Sequence, residues 1–99
     1  MAIGPSFTTV ASSASSVTII ANNPRRRGLT ITNTSTAILY LKLLGDTATA
    51  TTAHSIQIPA NGSYDLPLFT ANGNTECYTG KITGIWASAN GQANVTEWV

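Results

Sequence analysis

The sequence predicts an all-β fold, an antiparallel β-sandwich that is jelly-roll-like and has about seven or eight short strands. Apolar and polar side chains alternate in several short segments, which is the two-residue period of a strand with one buried face. Clusters of Gly, Asn and Pro separate these segments at short intervals. No window carries a helical period long enough for a helix. These observations together favour antiparallel sheets.

Length and composition predict the domain organisation. The chain has 99 residues and a hydrophobic content of 42%, which suits one compact domain and excludes the class of disordered chains. Residues 6–16 are almost all Ser, Thr and Ala, so they offer little apolar surface to bury. We therefore expect these residues to form an extended arm or an edge segment. The predicted organisation is an N-terminal arm over residues 1–16 and a single β-sandwich domain over residues 17–99.

The first half of this domain predicts three strands. Residues 17–20 form the first strand, and the turn cluster at residues 22–24 ends it because its proline restricts the backbone. Residues 28–33 alternate aliphatic side chains with threonines, as a half-buried strand does. Residues 37–43 are nearly continuous in apolar side chains, which indicates burial on both faces or against a partner. We expect strands 28–33 and 37–43 to pair as a hairpin.

The second half predicts an exposed loop and five further strands. The loop covers residues 45–53, which are rich in Thr and Ala. Asn61-Gly62 predicts a tight turn with positive φ angles, and Pro67 indicates an edge strand. Asn90-Gly91 predicts a hairpin between the last two strands. The predicted strands are residues 54–58, 63–69, 77–78, 81–88 and 93–98.

The charge content limits the classes of partner. Charged residues make up 9% of the chain, against about 25% in an average soluble protein, and the net charge is +1. Such a surface has a weak long-range field and little repulsion between copies, which suits dense packing beside identical neighbours. It does not suit a general nucleic-acid binder. A chain this short also has a small core, so self-association is a reasonable expectation.

No constellation of residues predicts catalysis. His54 is the only histidine, and nucleophilic catalysis would need an activated Ser or Cys beside it and an orienting carboxylate. The four acidic residues lie in separate segments. Cys77 is the only cysteine, and no Cys/His grouping has metal-ligand spacing. We therefore expect no enzymatic activity, no catalytic residue, no cofactor and no metal site.

The termini and the hydropathy pattern bear on localisation. The N-terminus lacks the basic start and continuous apolar run of a secretory signal. No segment approaches the roughly 20 apolar residues of a membrane span. We expect synthesis in the cytosol and no contact with a membrane.

Arg25, Arg26 and Arg27 are the main candidate interface residues, because they concentrate three of the five cations before one strand. They form either a solvated turn or a contact with carboxylates or backbone carbonyls of a partner protein. Contact with nucleic acid phosphates is disfavoured because no aromatic residues are interleaved with them. Lys42 and Trp98 are weaker interface candidates.

The aromatic side chains allow two interpretations. They could form a platform on which sugars stack, or they could lie in the core and at interfaces. Trp86, between Ile85 and Ala87, is predicted to anchor the core. Trp98 is the second-last residue and has less chain around it, so it is predicted to be buried against another subunit.

Five segments in fixed order resemble a known class of proteins. In turn they carry a basic-Gly-aliphatic strand, a Tyr-containing strand, a Pro-Ala-Asn-Gly turn, a Tyr-Thr-Gly strand and an Ala-x-Val-x-Glu strand. They are residues 26–33, 39–41, 56–64, 78–87 and 93–97. The chain from about residue 17 to residue 99 thereby resembles small all-β virion proteins of tailed bacteriophages, of the capsid decoration (cement) type. Residues 69–76 are longer than the equivalent turn in the simplest members.

The resemblance implies a non-enzymatic virion protein on the outer capsid surface, synthesised in the host cytoplasm. Its partners would be the major capsid protein, whose adjacent subunits it would bridge, and further copies of itself, for example as a homotrimer at a three-fold position. Two alternatives remain open. One is a tail, neck or fibre component of the virion. The other is a small carbohydrate-binding module, in which exposed Trp or Tyr would bind glycans and the arginines would be dispensable.

Overall fold

The computed structural model describes residues 5–43, 54–71 and 73–99, and these residues form strands and no helix. The predicted all-β class is confirmed. In the described ranges, no helix is long and apolar enough to cross a membrane. The ten strands are β1 (Pro5–Ala11), β2 (Val17–Ile20), β3 (Gly28–Asn33), β4 (Leu39–Leu43), β5 (Ile56–Ile58), β6 (Ser63–Asp65), β7 (Phe69–Ala71), β8 (Asn74–Glu76), β9 (Ile82–Trp86) and β10 (Gln92–Trp98).

Eight of these strands form two antiparallel sheets of four strands each. The strand order is β1-β10-β3-β6 in the first, called sheet A, and β2-β9-β4-β5 in the second, called sheet B. The remaining strands, β7 and β8, pair only with each other as a small hairpin. Apart from β4 and β5, strands that are consecutive among these eight lie in different sheets. The chain therefore passes repeatedly from one sheet to the other.

Both predicted hairpins are wrong for this reason. Strand β3 belongs to sheet A and β4 to sheet B, so residues 28–33 and 37–43 are not paired. Strands β9 and β10 also lie in different sheets, although Gly91 has the positive φ angle, 74°, that the Asn-Gly signal predicts. A turn signal reports a local bend of the backbone. It does not report which strand each arm will pair with.

The core receives side chains from both sheets. Trp86, predicted as a core anchor, is confirmed there with 1% of its surface exposed. Sheet A contributes Leu29, Ile31, Ala93 and Val95, and sheet B contributes Ile19, Leu39, Leu41, Ile58 and Ile82. Full burial of each large aliphatic side chain stabilises the fold by roughly 1.5–3 kcal/mol. The two sheets are thus joined by one continuous apolar cluster.

A buried amide adds a polar link within this core. Asn33 is fully buried, and its Nδ2 donates to the carbonyl oxygens of Ala37 at 2.8 Å and Ile58 at 3.1 Å. Its Oδ1 accepts from Trp86 Nε1 at 3.2 Å and from the Ser35 N–H at 3.2 Å. A buried amide without these partners would cost free energy. Asn33 therefore ties the end of β3 in sheet A to β5 and β9 in sheet B.

Pro67 ends pairing at the free edge of sheet A. Strand β6 lies at this edge, as Pro67 predicted, but it stops at Asp65 instead of continuing to residue 69. The Leu66 N–H still donates to Leu29 O at 2.9 Å, and proline then has no N–H to continue the ladder. The predicted strand at residues 77–78 is also absent, since neither residue belongs to a strand.

The turn between β5 and β6 needs its glycine. Asn61 has a φ of 60°, as the Asn-Gly signal predicts for the turn. The Gly62 N–H donates to Pro59 O at 2.9 Å, and a Cβ on Gly62 would lie 2.9 Å from Pro59 Cδ. A larger residue at Gly62 would therefore have to move the proline ring.

Part of the predicted N-terminal arm is a strand of the sheet. Residues 5–11 form β1, which pairs with β10 along its whole length, from Pro5 opposite Trp98 to Ala11 opposite Gln92. Apart from Val10, which packs against the core, the side chains of β1 are exposed. Residues 1–4 and the predicted loop at residues 45–53 lie outside the described residues.

Candidate interaction surface

Arg26, a candidate interface residue, is placed inside the fold. Its side chain has 0% exposure, and its Nε donates to Glu97 Oε2 at 2.7 Å in an ion pair. The terminal nitrogens donate to three carbonyl oxygens, those of Ala21 at 2.7 Å, Tyr78 at 3.1 Å and Gly80 at 3.0 Å. The contact expected between Arg26 and a partner is therefore corrected to an internal one, because a side chain without exposed surface cannot reach another molecule.

The turn before β3 sets the direction of each arginine. Asn23 accepts twice, with its carbonyl oxygen from the Arg26 N–H at 3.0 Å and with Oδ1 from the Arg25 N–H at 3.0 Å. The Arg27 N–H donates to Trp98 O at 2.7 Å, although the register pairs Trp98 with Gly28, so Arg27 and Gly28 both lie opposite Trp98. This irregularity breaks the alternation of β3, in which the odd-numbered side chains are the buried ones. Arg26 is buried, while Arg25 and Arg27 are exposed.

Cys77 lies beside this buried ion pair and is buried itself, at 7% exposure. Its Sγ donates to Arg26 O at 3.5 Å. Burial raises the pKa of the Cys77 thiol, and the Glu97 carboxylate adds to this, while the Arg26 guanidinium opposes it. A buried thiol with a raised pKa is a poor nucleophile, so Cys77 is a structural residue.

Arg27 and Trp98 are brought together on the outer face of sheet A. Along β10, Glu97 points to the interior, so Trp98 faces outward, opposite Gly28 of β3. A Cβ on Gly28 would lie 3.5 Å from Trp98 Cε3, which shows how closely the indole approaches that backbone. Here lies an open groove of about 460 Å³, called the Trp98 groove. It is lined by Arg27, Gly28, Leu29, Thr30, Asp65, Leu66, Leu68 and Trp98.

The Trp98 groove combines apolar surface with a few polar groups. Leu68 is 58% exposed, and Trp98 is half-buried. Thr30 and Asp65 are opposite each other on β3 and β6, and the Thr30 hydroxyl donates to Asp65 Oδ1 at 2.7 Å. Arg27 supplies a planar donor fork that suits a carboxylate or a carbonyl. Aromatic residues and arginine are enriched at the centres of protein interfaces, so this composition fits a docking surface.

Phe7 extends this apolar surface across sheet A. It lies opposite Thr96, so Trp98, two residues further along β10, is its diagonal neighbour on the same face. Phe7 is 62% exposed. We call Phe7, Arg27, Leu68 and Trp98 the outer-face patch.

Two members of the outer-face patch were not predicted from the sequence. Phe7 lies in a segment that is otherwise almost all Ser, Thr and Ala, and its single aromatic side chain was the only local signal of an apolar contact. Alternation along the predicted strand 63–69 would put Leu68 on one face with Tyr64 and Leu66, but only Leu66 is buried, at 4% exposure. Pro67 marks where that alternation ends, and it could have indicated that Leu68 leaves the core face.

Lys42 is not part of this surface. It is half-buried on β4 of sheet B, opposite Thr83 of β9. The structure therefore does not bring Lys42 together with Arg27 and Trp98.

His54 lies beside Tyr40 and Gln57. Its ring centroid lies 4.7 Å from that of Tyr40, and the two rings are tilted by 56°. Its Nε2 lies 3.3 Å from Gln57 Nε2. Among the described side chains, no group of three His, Cys, Asp or Glu residues could hold a metal ion.

Comparisons of the chain with known proteins identify no relative. No protein family, no curated protein and no solved structure matches the chain.

Proposed function

We propose that the chain is a non-enzymatic structural protein of a bacteriophage virion, a capsid decoration protein that bridges adjacent major capsid protein subunits as a homo-oligomer. The observation that carries this proposal is the outer-face patch, in which Phe7 and Leu68 are more than half exposed beside Trp98 and Arg27. Exposed apolar surface of this kind marks a contact with another macromolecule. The resemblance of five sequence segments to small virion proteins supports the capsid as that macromolecule.

The proposed mechanism is attachment through many identical contacts of modest strength. Burial of Phe7 and Leu68 against the coat would contribute the apolar part, up to roughly 1.5–3 kcal/mol for each fully buried side chain. Arg25 and Arg27 would pair with carboxylates or carbonyls of the coat. An oligomer engages several such sites at once, which raises the overall affinity far above that of one contact.

We further propose that the two sheets face each other as a jelly-roll sandwich. The strand orders β1-β10-β3-β6 and β2-β9-β4-β5 support this proposal, because two interleaved Greek keys produce this arrangement. The single apolar cluster shared by the two sheets supports it as well. An experimental structure should then give a separation of about 10 Å between the sheets. Sheets that diverge from each other would contradict the sandwich.

The copy number per virion tests the proposed location. Quantitative mass spectrometry of purified virions would compare this chain with the major coat protein. On the order of hundreds of copies, in a simple ratio to the coat, is expected, since decoration follows the symmetry of the shell. A few copies per particle would instead indicate a neck, tail or fibre component. Absence from the virion would contradict the proposal.

Capsid binding by purified protein tests the proposed surface. The double variant Arg25→Ala/Arg27→Ala should bind undecorated capsids at least about 10-fold more weakly at low salt and with a flatter salt dependence. Arg26 must stay in place, because its removal would disturb the fold. Lys81→Ala is the matched control, since it also removes a cation but does not line the Trp98 groove. Equal binding by the double variant and the wild type would exclude these arginines from the interface.

A glycan-binding module is the second candidate, and the Trp98 groove favours it specifically. Trp98, Thr30 and Asp65 place an aromatic ring beside hydroxyl and carboxylate groups, in a groove of about 460 Å³. Ligand sites commonly measure about 300–1,000 Å³ and combine apolar walls with a few polar groups. A glycan array separates the two candidates. Binding that Trp98→Ala abolishes and Arg25→Ala leaves intact would favour the module over the decoration protein.

A further inference from the structure

We propose that the free edge of β1 pairs with β1 of a second copy in antiparallel orientation, with the two Thr9 residues opposite each other. Sheet A of each copy has four strands, so the pair would form one continuous sheet of eight. This inference deepens the homo-oligomer part of the proposed function and rests on that part alone.

Strand β1 is the one long edge strand among those described. The other edges of the two four-stranded sheets are β2, β5 and β6. Strands β5 and β6 have three residues each and are followed closely by Pro59 and Pro67. Strand β2 has four residues and a register shift between Thr18 and Ile20. Short length, proline and irregular pairing are the means by which proteins prevent edge-to-edge association.

None of these protections interrupts β1. It has seven residues, and its pairing with β10 continues without a register shift. Its only proline, Pro5, is its first residue. It carries no charged side chain, although a lysine on the edge is the commonest means of opposing a second strand. A long, regular and neutral edge of this kind is a template for pairing with another chain.

The direction of the backbone groups identifies which residues face the free edge. The Ser12 N–H donates to Gly91 O at 3.2 Å, so Ser12 turns its amide towards the neighbouring strand. Along an antiparallel strand, the backbone N–H and C=O groups of successive residues point alternately towards one neighbouring strand and away from it. The N–H and C=O groups of Phe7, Thr9 and Ala11 therefore point away from β10.

A second copy fits this edge because antiparallel pairing is symmetric. A two-fold axis at Thr9 places Phe7 of each copy opposite Ala11 of the other, and the outward groups can form about six backbone hydrogen bonds. The strand contact alone buries less than the roughly 800 Å² per partner of a standard interface. We therefore expect a dimer that depends on concentration. Both Trp98 grooves would lie on the same face of the joined sheet, where they can engage one capsid surface together.

Sedimentation equilibrium of the purified full-length protein tests the dimer. From about 1 µM to about 1 mM, the mass should rise from that of one chain to that of two. Thr9→Pro removes an N–H that faces the free edge without removing a bond to β10, and it should raise the dimer dissociation constant at least about 10-fold. Thr9→Ala keeps the N–H and should change that constant by less than about 3-fold. A monomer throughout, a trimer, or a dimer unaffected by Thr9→Pro would overturn the proposal.

A cross-link tests the register even if Thr9→Pro fails to fold. Opposed residues in a hydrogen-bonded antiparallel pair have Cα atoms about 5.5 Å apart, which is within disulfide range. Thr9→Cys should therefore form a covalent dimer on mild oxidation. Thr32→Cys, on the outer face of β3, is the control and should not form one. Absence of the Thr9→Cys cross-link would contradict the proposed register.

These experiments use no virion component. A failure of capsid binding therefore leaves the dimer intact, and failure to dimerise leaves the capsid contact to be judged by its own assay.

Discussion

Arg26 and Arg27 are consecutive in the sequence, yet one lies inside the fold and the other lines a surface groove. Arg26 bonds to Glu97 and to three backbone carbonyls, and its side chain has no exposed surface. Arg27 is exposed beside Trp98. Arg27 and Gly28 both lie opposite Trp98, and this irregular pairing shifts the alternation of β3 so that Arg26, and not Arg27, points inward.

The comparison shows that a run of like charges need not act as one unit. Arg26 joins segments distant in sequence, since Ala21, Gly80 and Glu97 all accept hydrogen bonds from it. Its function is to hold the fold together. Of the three arginines, only Arg25 and Arg27 are exposed. The proposed docking contact would therefore involve two cations and not the three that the sequence predicts.

The largest expected effect comes from Arg26→Ala. It would leave the Glu97 carboxylate without its cation in a site where that side chain is only 14% exposed, and it would remove the donor that three carbonyl oxygens share. Removing one partner of a buried ion pair typically costs about 3–5 kcal/mol. Urea unfolding should show a loss of this size in the free energy of unfolding. Arg27→Ala, the matched control, should change it by at most about 0.5 kcal/mol. Equal losses in the two variants would refute the structural role of Arg26.

A smaller effect is expected from Arg26→Lys. Lysine keeps the charge, but its ammonium has three donors on one nitrogen and cannot reproduce the planar fork that reaches Glu97, Ala21 and Gly80. We expect a loss of about 1–3 kcal/mol, since some of the carbonyls would stay unpaired. The midpoint of urea unfolding would measure this loss. Arg27→Lys should be neutral, and full stability of Arg26→Lys would show that charge alone suffices at this position.

Alkaline pH should weaken the fold around Arg26 through Cys77. Burial raises the pKa of its thiol above the ordinary value of 9.0, so the folded state keeps its proton to higher pH than the unfolded state does. The unfolded state then binds fewer protons, and the free energy of unfolding falls as the pH rises above about 9. Chemical unfolding from about pH 8 to about pH 10 would show this slope.

Cys77→Ala is the control for this pH dependence. It should flatten the slope, leaving the part due to Tyr64, whose pKa burial also raises. An identical slope in Cys77→Ala would exclude the thiol as its source.

The smallest effect is expected on the surface side, at Gly28. A Cβ there would meet Trp98 Cε3 at 3.5 Å, which is ordinary contact. Gly28→Ala should therefore be tolerated, and it should raise the free energy of unfolding by up to about 1 kcal/mol because the unfolded chain loses freedom. Gly84→Ala is the contrasting variant, since its Cβ would lie 2.8 Å from Ile19 Cγ1 in the core. In thermal unfolding, the Tm of Gly28→Ala should be higher than that of the wild type, and the Tm of Gly84→Ala should be lower.

The candidate surface was only partly predictable from sequence. Arg27 and Trp98 were both predicted as interface residues, but their proximity depends on the pairing of β3 with β10, and these strands are separated by more than half of the chain. Lys42 was also predicted as an interface residue, yet it lies on β4, which belongs to sheet B. Phe7 became part of the surface because β1 pairs with β10, and no local pattern encodes that pairing.

The sequence by itself determined the class of fold and most of the strand positions. Alternation of apolar and polar residues, and turns at Asn61 and Gly91, are local properties of the backbone and of side-chain direction. Which strands pair and which arginine is buried depended on the tertiary structure alone. The same long-range pairing is the reason that both predicted hairpins are wrong. The reason is physical. Burial of one apolar cluster that draws side chains from both sheets is a property of the whole chain, and it outweighs the local preference of any single turn.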